Sequence, residues 1–137
     1  MTLDDLYASL PNGFHDANFL RLTIDYQKAE AQLVLDVWVA ESLDDDEREA
    51  YRLAELTLSG LLYWIAEPPN DGGPLDNVLE ERIDMGPLSA VEKARNFPAL
   101  PHGAFANYIF LVYSNTFIYV AARDAALQWI GEKRLRV

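Results

Sequence analysis

The chain has 137 residues, half of them hydrophobic and 24% charged, with a formal net charge of −11 and no cysteine. That size and composition point to one globular domain, residues 1–137, able to bury roughly two-thirds of its unfolded surface without a covalent staple. The lack of cysteine excludes disulfides, thiol nucleophiles and thiolate zinc sites, and the acidic balance argues against a broad basic face for nucleic acid or an anionic membrane.

Residues 1–60 carry 13 acids and 4 bases, whereas residues 61–137 carry 9 and 7, so the negative field comes mainly from the first half. Asp4 and Asp5 stand where a leader peptide would carry bases. The longest apolar stretches, 61–66 and 108–113, fall far short of the ~20 residues that span a bilayer. The expected location is the cytoplasm.

In chain order, residues 2–10 read as a short helix: Thr2 caps, Asp4 and Asp5 suit the positive end of the helix dipole, and Leu3, Leu6, Tyr7 and Leu10 share a face. Pro11-Asn12-Gly13 stops it. From Ala17 the period becomes two, with Leu20, Leu22, Ile24 and Tyr26 against Arg21, Thr23 and Asp25. After the polar turn 27–30, Leu33, Leu35, Val37 and Val39 alternate with Val34, Asp36 and Trp38, which makes a β-hairpin over about 18–40. Residues 41–49 form a solvated acidic loop with six acids and one base.

Strand character returns over 53–65, with a bend at Gly60 and a stretch at 61–65 expected to be buried on both faces. Residues 68–74, rich in proline and glycine, read as a loop within the domain. Residues 75–83 and 88–97 each allow a short helix. Residues 103–123 alternate strongly, with Phe105, Asn107, Ile109, Leu111 and Tyr113 on one side, a two-residue turn at Ser114-Asn115, then Phe117, Tyr119 and Ala121. Residues 125–130 close as a short helix or a strand, with Trp129-Ile130 in the core and a solvated basic tail behind. The fold class expected is α+β: a single antiparallel β-sheet with short helices covering one face.

Few side chains suggest chemistry. His15 beside Asp16 offers a base or a metal ligand, and His102 is the other histidine of the chain. In an extended segment, adjacent side chains point to opposite faces. The structural reading therefore places His15 and Asp16 at a helix-to-strand junction, bonding local backbone. Asp44-Asp45-Asp46-Glu47 lacks the spaced carboxylates and glycine of a calcium loop. There is no phosphate-binding glycine loop and no Gly-x-Ser-x-Gly elbow. Tyr63, Trp64, Tyr108, Phe110, Tyr113, Phe117 and Tyr119 read as core and cross-strand pairs before they read as a ligand pocket.

The string Leu10-Pro11-Asn12-Gly13-Phe14-His15-Asp16-Ala17, followed by Ile24-Asp25-Tyr26, resembles small bacterial proteins that carry a Gly-Phe-His-Asp-Ala motif. These include immunity-type proteins of polymorphic toxin systems. Leu56-Thr57-Leu58-Ser59-Gly60 and Ile118-Tyr119-Val120-Ala121-Ala122-Arg123 fit the same resemblance. It implies an interaction protein and brings no catalytic set with it. The favoured expectation is thus a non-enzymatic protein-binding module, with no cofactor and no metal. Its partner is a basic protein docking on Asp44, Asp45, Asp46 and Glu47, and a homodimer would hide an uncovered aromatic strand. The alternative is a small hydrolase or metal-dependent enzyme using His15, Asp16 and His102.

Overall fold

The computed structural model describes residues 1–41, 48–68, 81–91 and 96–135. The chain opens with helix α1, Leu3–Ser9, whose start is fixed by a reciprocal capping box. Asp5 N–H donates to the Thr2 hydroxyl, and Thr2 N–H donates to the Asp5 carboxylate, both at 3.0 Å. A tight turn then leads into nine strands: β1 (Ala17–Asp25), β2 (Glu30–Trp38), β3 (Ala50–Ser59), β4 (Tyr63–Ala66), β5 (Arg82–Pro87), β6 (Phe105–Leu111), β7 (Thr116–Ala122), β8 (Asp124–Trp129) and β9 (Arg134–Leu135).

All the strand pairings are antiparallel. The order is β4-β7-β6-β5-β1-β2-β3-β8, with β9 also on β3. The two ends of this path are not independent strands, because β3 runs on into β4 and β7 runs on into β8. Arg123 N–H donates to Ser59 O at 3.0 Å and Leu62 N–H to Ala121 O at 2.8 Å. The 50–66 and 116–129 segments are therefore partners along their length, and the hydrogen-bonded path returns to the segment it started from. Both bend together, and Gly60 absorbs the bend at φ +61°. A Cβ there would sit 2.8 Å from that of Arg123.

Period-two alternation places Leu33, Leu35 and Val37 of β2, Leu56 and Leu58 of β3, Ile83 of β5, Ile109 of β6 and Val120 of β7 on one side, each fully buried. Leu3 and Leu6 of α1 and Phe14 join the same cluster. Because the sheet bends back, these side chains bury one another. The short helices expected over one face are not shown among the described residues. The described residues include one seven-residue α-helix, the 3-10 turn Leu88–Ala90 and a 3-10 residue at Asn96. No helix among them is long and apolar enough to cross a membrane.

Several boundaries differ from the sequence reading for local reasons. The β1–β2 register slips between Phe19 and Arg21, so Leu20 is a bulge residue 55% exposed, while Phe19 takes its place against the core. Tyr26 lies in the turn and is 90% exposed. Residues 61–65 are not buried on both faces, since Leu62 and Ile65 are exposed beyond the Gly60 bend. Arg82 and Ile83, the end of the short helix allowed over 75–83, instead begin strand β5, and residues 75–80 lie outside the described residues, as do 69–74, 92–95 and 42–47. The β6–β7 turn spans four residues, because Leu111 pairs with Thr116. Glu81 holds that turn by accepting from Tyr113 N–H at 2.8 Å and the Ser114 hydroxyl at 2.7 Å. The 125–130 segment is strand β8; Trp129 packs on the core, but Ile130 is exposed. The tail is not simply solvated, for Arg134 pairs with the buried Asp36 carboxylate and β9 pairs with β3.

Candidate binding site

The turn over residues 11–16 sets the geometry of the most distinctive string. The Asn12 amide donates to Ala40 O at 2.8 Å and Trp38 O at 3.3 Å, which ties the turn to the end of β2. Asp16 N–H donates to Ile83 O at 3.1 Å, which ties it to β5. Gly13 has φ +57°, and the Tyr7 ring lies where its Cβ would be, so only glycine fits. Tyr7 then meets Phe14 edge to face at 6.2 Å.

Asp16 is itself left-handed, at φ +58°. The segment, between α1 and β1, is therefore turned rather than extended, and the condition under which His15 and Asp16 would point to opposite faces is not met. His15 Nε2 lies 3.5 Å from Asp16 Oδ2, and His15 Nδ1 lies 3.7 Å from Asp84 Oδ1 of β5. Both are ion-pair separations, longer than a good hydrogen bond. The imidazole is half-exposed between two carboxylates. Tyr7 closes the corner. Burial pushes its phenol above the usual value, and the negative charge of Asp84 adds to the push.

His102 is not part of this corner. It is exposed, in the stretch before β6. In the β5–β6 register Asp84 faces Phe110, and His102 lies beyond the other end of the strand at Phe105. Five residues of strand separate those two ends, roughly 17 Å. Among the described residues no group of three His, Asp or Glu is placed to hold a metal ion. Asp44, Asp45, Asp46 and Glu47 lie outside the described residues.

Asp84 also edges a groove of about 390 Å³, lined by Ala90, Val91, Tyr108, Phe110 and Phe117. It lies on the outer face of β5, β6 and β7. Phe110 and Phe117 are a cross-strand pair with ring centres 4.8 Å apart, tilted by 40°. Tyr108 stands edge-on to Phe117 at 5.9 Å. Opposite Tyr108 in β5 is Gly86, where a Cβ would lie 2.8 Å from the Tyr108 hydroxyl, so the missing side chain lets that ring lie down across the strand. The ring series continues through Tyr119, stacked parallel to Phe117 at 5.8 Å, to Phe97 and Tyr63. Burial raises the Tyr63 phenol above its usual value. Cross-strand pairing of these aromatics is as expected from the sequence, but apart from Trp64 they decorate the outer face and not the core cluster.

Asp84 is the member of this site that the sequence reading did not single out. Its signal was the alternation of Ile83 and Met85, both buried, with Asp84 and Gly86. A second groove, of about 450 Å³, lies between α1 and β8, where the Arg52 guanidinium sits 4.8 Å above the Trp129 ring. No family model matches the chain, no curated protein matches it, and no solved structure matches it.

Proposed function

We propose that the chain is a non-catalytic, immunity-type binding protein whose partner is a basic protein. The observation that carries this reading is the groove beside Asp84, where three half-buried rings stand on the outer face with a carboxylate at the rim. Aromatic surface left partly in water gains by being covered, and a carboxylate beside it selects a positive occupant over a neutral one. The net charge of −11 supports the same partner by attracting a basic protein over distance. In this reading Asp44, Asp45, Asp46 and Glu47, within a segment whose formal charge is −5, act as a steering patch rather than a contact. The alternative enzyme needs His15, Asp16 and His102 in one cleft, and only the first two are neighbours.

The test is capture of partners from the native host, followed by association kinetics at two ionic strengths. The expected partner is basic, and its association rate falls as salt rises, because screening lengths shrink from about 10 Å at 0.1 M to about 3 Å at 1 M. Changing Asp44, Asp45 and Asp46 to Asn and Glu47 to Gln slows association at low salt and leaves dissociation unchanged. Capture of an acidic partner, or a salt-independent rate, would reject the reading.

A further inference from the structure

We infer that the groove on the outer face of β5–β7 receives an arginine side chain of that partner, its guanidinium lying on the Phe110–Phe117 wall and forked onto Asp84. The inference rests on the basic-partner reading and adds the chemistry of the contact. Three features of the groove select a planar cation. Phe110 and Phe117 present adjacent faces tilted by 40°, a shallow corner that a flat ion can cover. Asp84 supplies the opposite charge; its side chain is 42% exposed, and Oδ1 accepts from Met85 N–H at 3.0 Å. A carboxylate at the rim is the group to which a guanidinium binds with a fork of two N–H donors. Gly86 lays Tyr108 across β5, so the groove floor beside Asp84 is an aromatic surface.

Arginine fits better than lysine on physical grounds. Its guanidinium is planar, is weakly hydrated, and presents several donors in one plane, so it can stack and bridge at once. The molecule already uses this device elsewhere: Arg52 lies over Trp129 at 4.8 Å while its Nε–H donates to Gly131 O at 2.6 Å. The outer groove has the ring and the acceptor of that arrangement, and among the described residues no lysine or arginine lines it.

The test uses the full chain and labelled hexa-arginine, hexa-lysine and hexa-glutamate peptides at low salt. Hexa-arginine should bind several-fold more tightly than hexa-lysine, and hexa-glutamate should not bind. Asp84→Asn and Phe117→Leu should each weaken hexa-arginine about fivefold, the size expected of one partly exposed cation–π or charge contact. Titration of the wild-type chain, followed by aromatic NMR, needs no variant: the Tyr108, Phe110 and Phe117 ring signals should move with hexa-arginine. No binding of hexa-arginine at all would reject both the basic-partner reading and this inference. Binding that ignores Asp84→Asn and Phe117→Leu, leaves the three rings unmoved, but is lost on neutralising Asp44 to Glu47 would reject the groove alone. Equal affinity for hexa-lysine would reject the guanidinium preference.

Discussion

On its inner side the sheet presents Leu33, Leu35, Leu56, Leu58, Ile83 and Val120, all without exposure. On its outer side, across β5, β6, β7 and β4, it presents Tyr108, Phe110, Phe117, Tyr119 and Tyr63, most of them half-buried. Strands β6 and β7 carry side chains of both kinds in alternation, Ile109 and Val120 inward and Tyr108, Phe110, Phe117 and Tyr119 outward. Aliphatic side chains fill an enclosed volume closely and leave no polar atom to satisfy. Aromatic rings tolerate partial exposure, pair at defined angles and keep a face for a visitor. The difference teaches that one face of these strands closes the core, while the other leaves aromatic surface partly in water.

The largest effect should come from the inner face. Leu56→Ala removes a fully buried side chain from the centre of β3 and should cost about 2–5 kcal/mol in denaturant unfolding. Phe117→Leu on the outer face should cost less than about 1.5 kcal/mol, as volume-conserving apolar changes do. Equal costs would break the contrast between the faces. Next is Asn107, one of the buried polar residues. It is 1% exposed and donates to Asp4 Oδ1 at 2.8 Å and Gly86 O at 3.0 Å, linking α1 to β5 and β6. Asn107→Ala should cost about 1–3 kcal/mol, visible as a lower Tm. It should also loosen the corner that holds Tyr7 and Tyr108, visible in near-ultraviolet dichroism.

The smallest effects belong to the helix start. Thr2→Ala removes one side of the capping box and should cost about 1 kcal/mol. Hydrogen bonds from the Thr2 backbone, then from its side chain, hold the Asp5 carboxyl below its ordinary 3.8. A depressed folded value means that the ionised form is favoured by folding. This contribution is fully present above about pH 4 and is lost as pH falls through the folded value. An acid titration of unfolding should therefore be shallower for Asp5→Asn than for the wild type below pH 4. An identical acid limb would show that the cap does not shape stability.

The hairpin of β1 and β2 was legible because Leu33, Leu35 and Val37 alternate without interruption, and the β6–β7 hairpin for the same reason. The Leu20 bulge was not, because an apolar residue in a strand pattern reads equally well as inward. Strand β5 was hidden by Gly86-Pro87, which punctuates like a loop, yet here Gly86 makes room for Tyr108 and Pro87 ends the strand. Half of the site was lost with it. His15 and Asp16 were visible as a string, but their common orientation depends on the left-handed Asp16, and Asp84 joins them only through the pairing of Ala17 with Ile83. Aspartate tolerates that backbone. A turn of Asn, Gly and Asp was a fair hint of it, but not of its neighbour across the sheet.

The return of the hydrogen-bonded path to its own starting segment has a consequence for synthesis. Ser59 pairs with Asp124 and Ala54 with Trp129, so the far edge of β3 finds its strand partner only after much more of the chain has been made. A nascent chain emerging from the ribosome carries β3 for seconds before β8 follows, at the ordinary pace of translation. During that interval an unpaired edge of alternating leucines is on offer to any other strand. Until β8 is made, the backbone of Leu56 and Leu58 lacks the partners on that edge that Leu127 and Ala125 later supply.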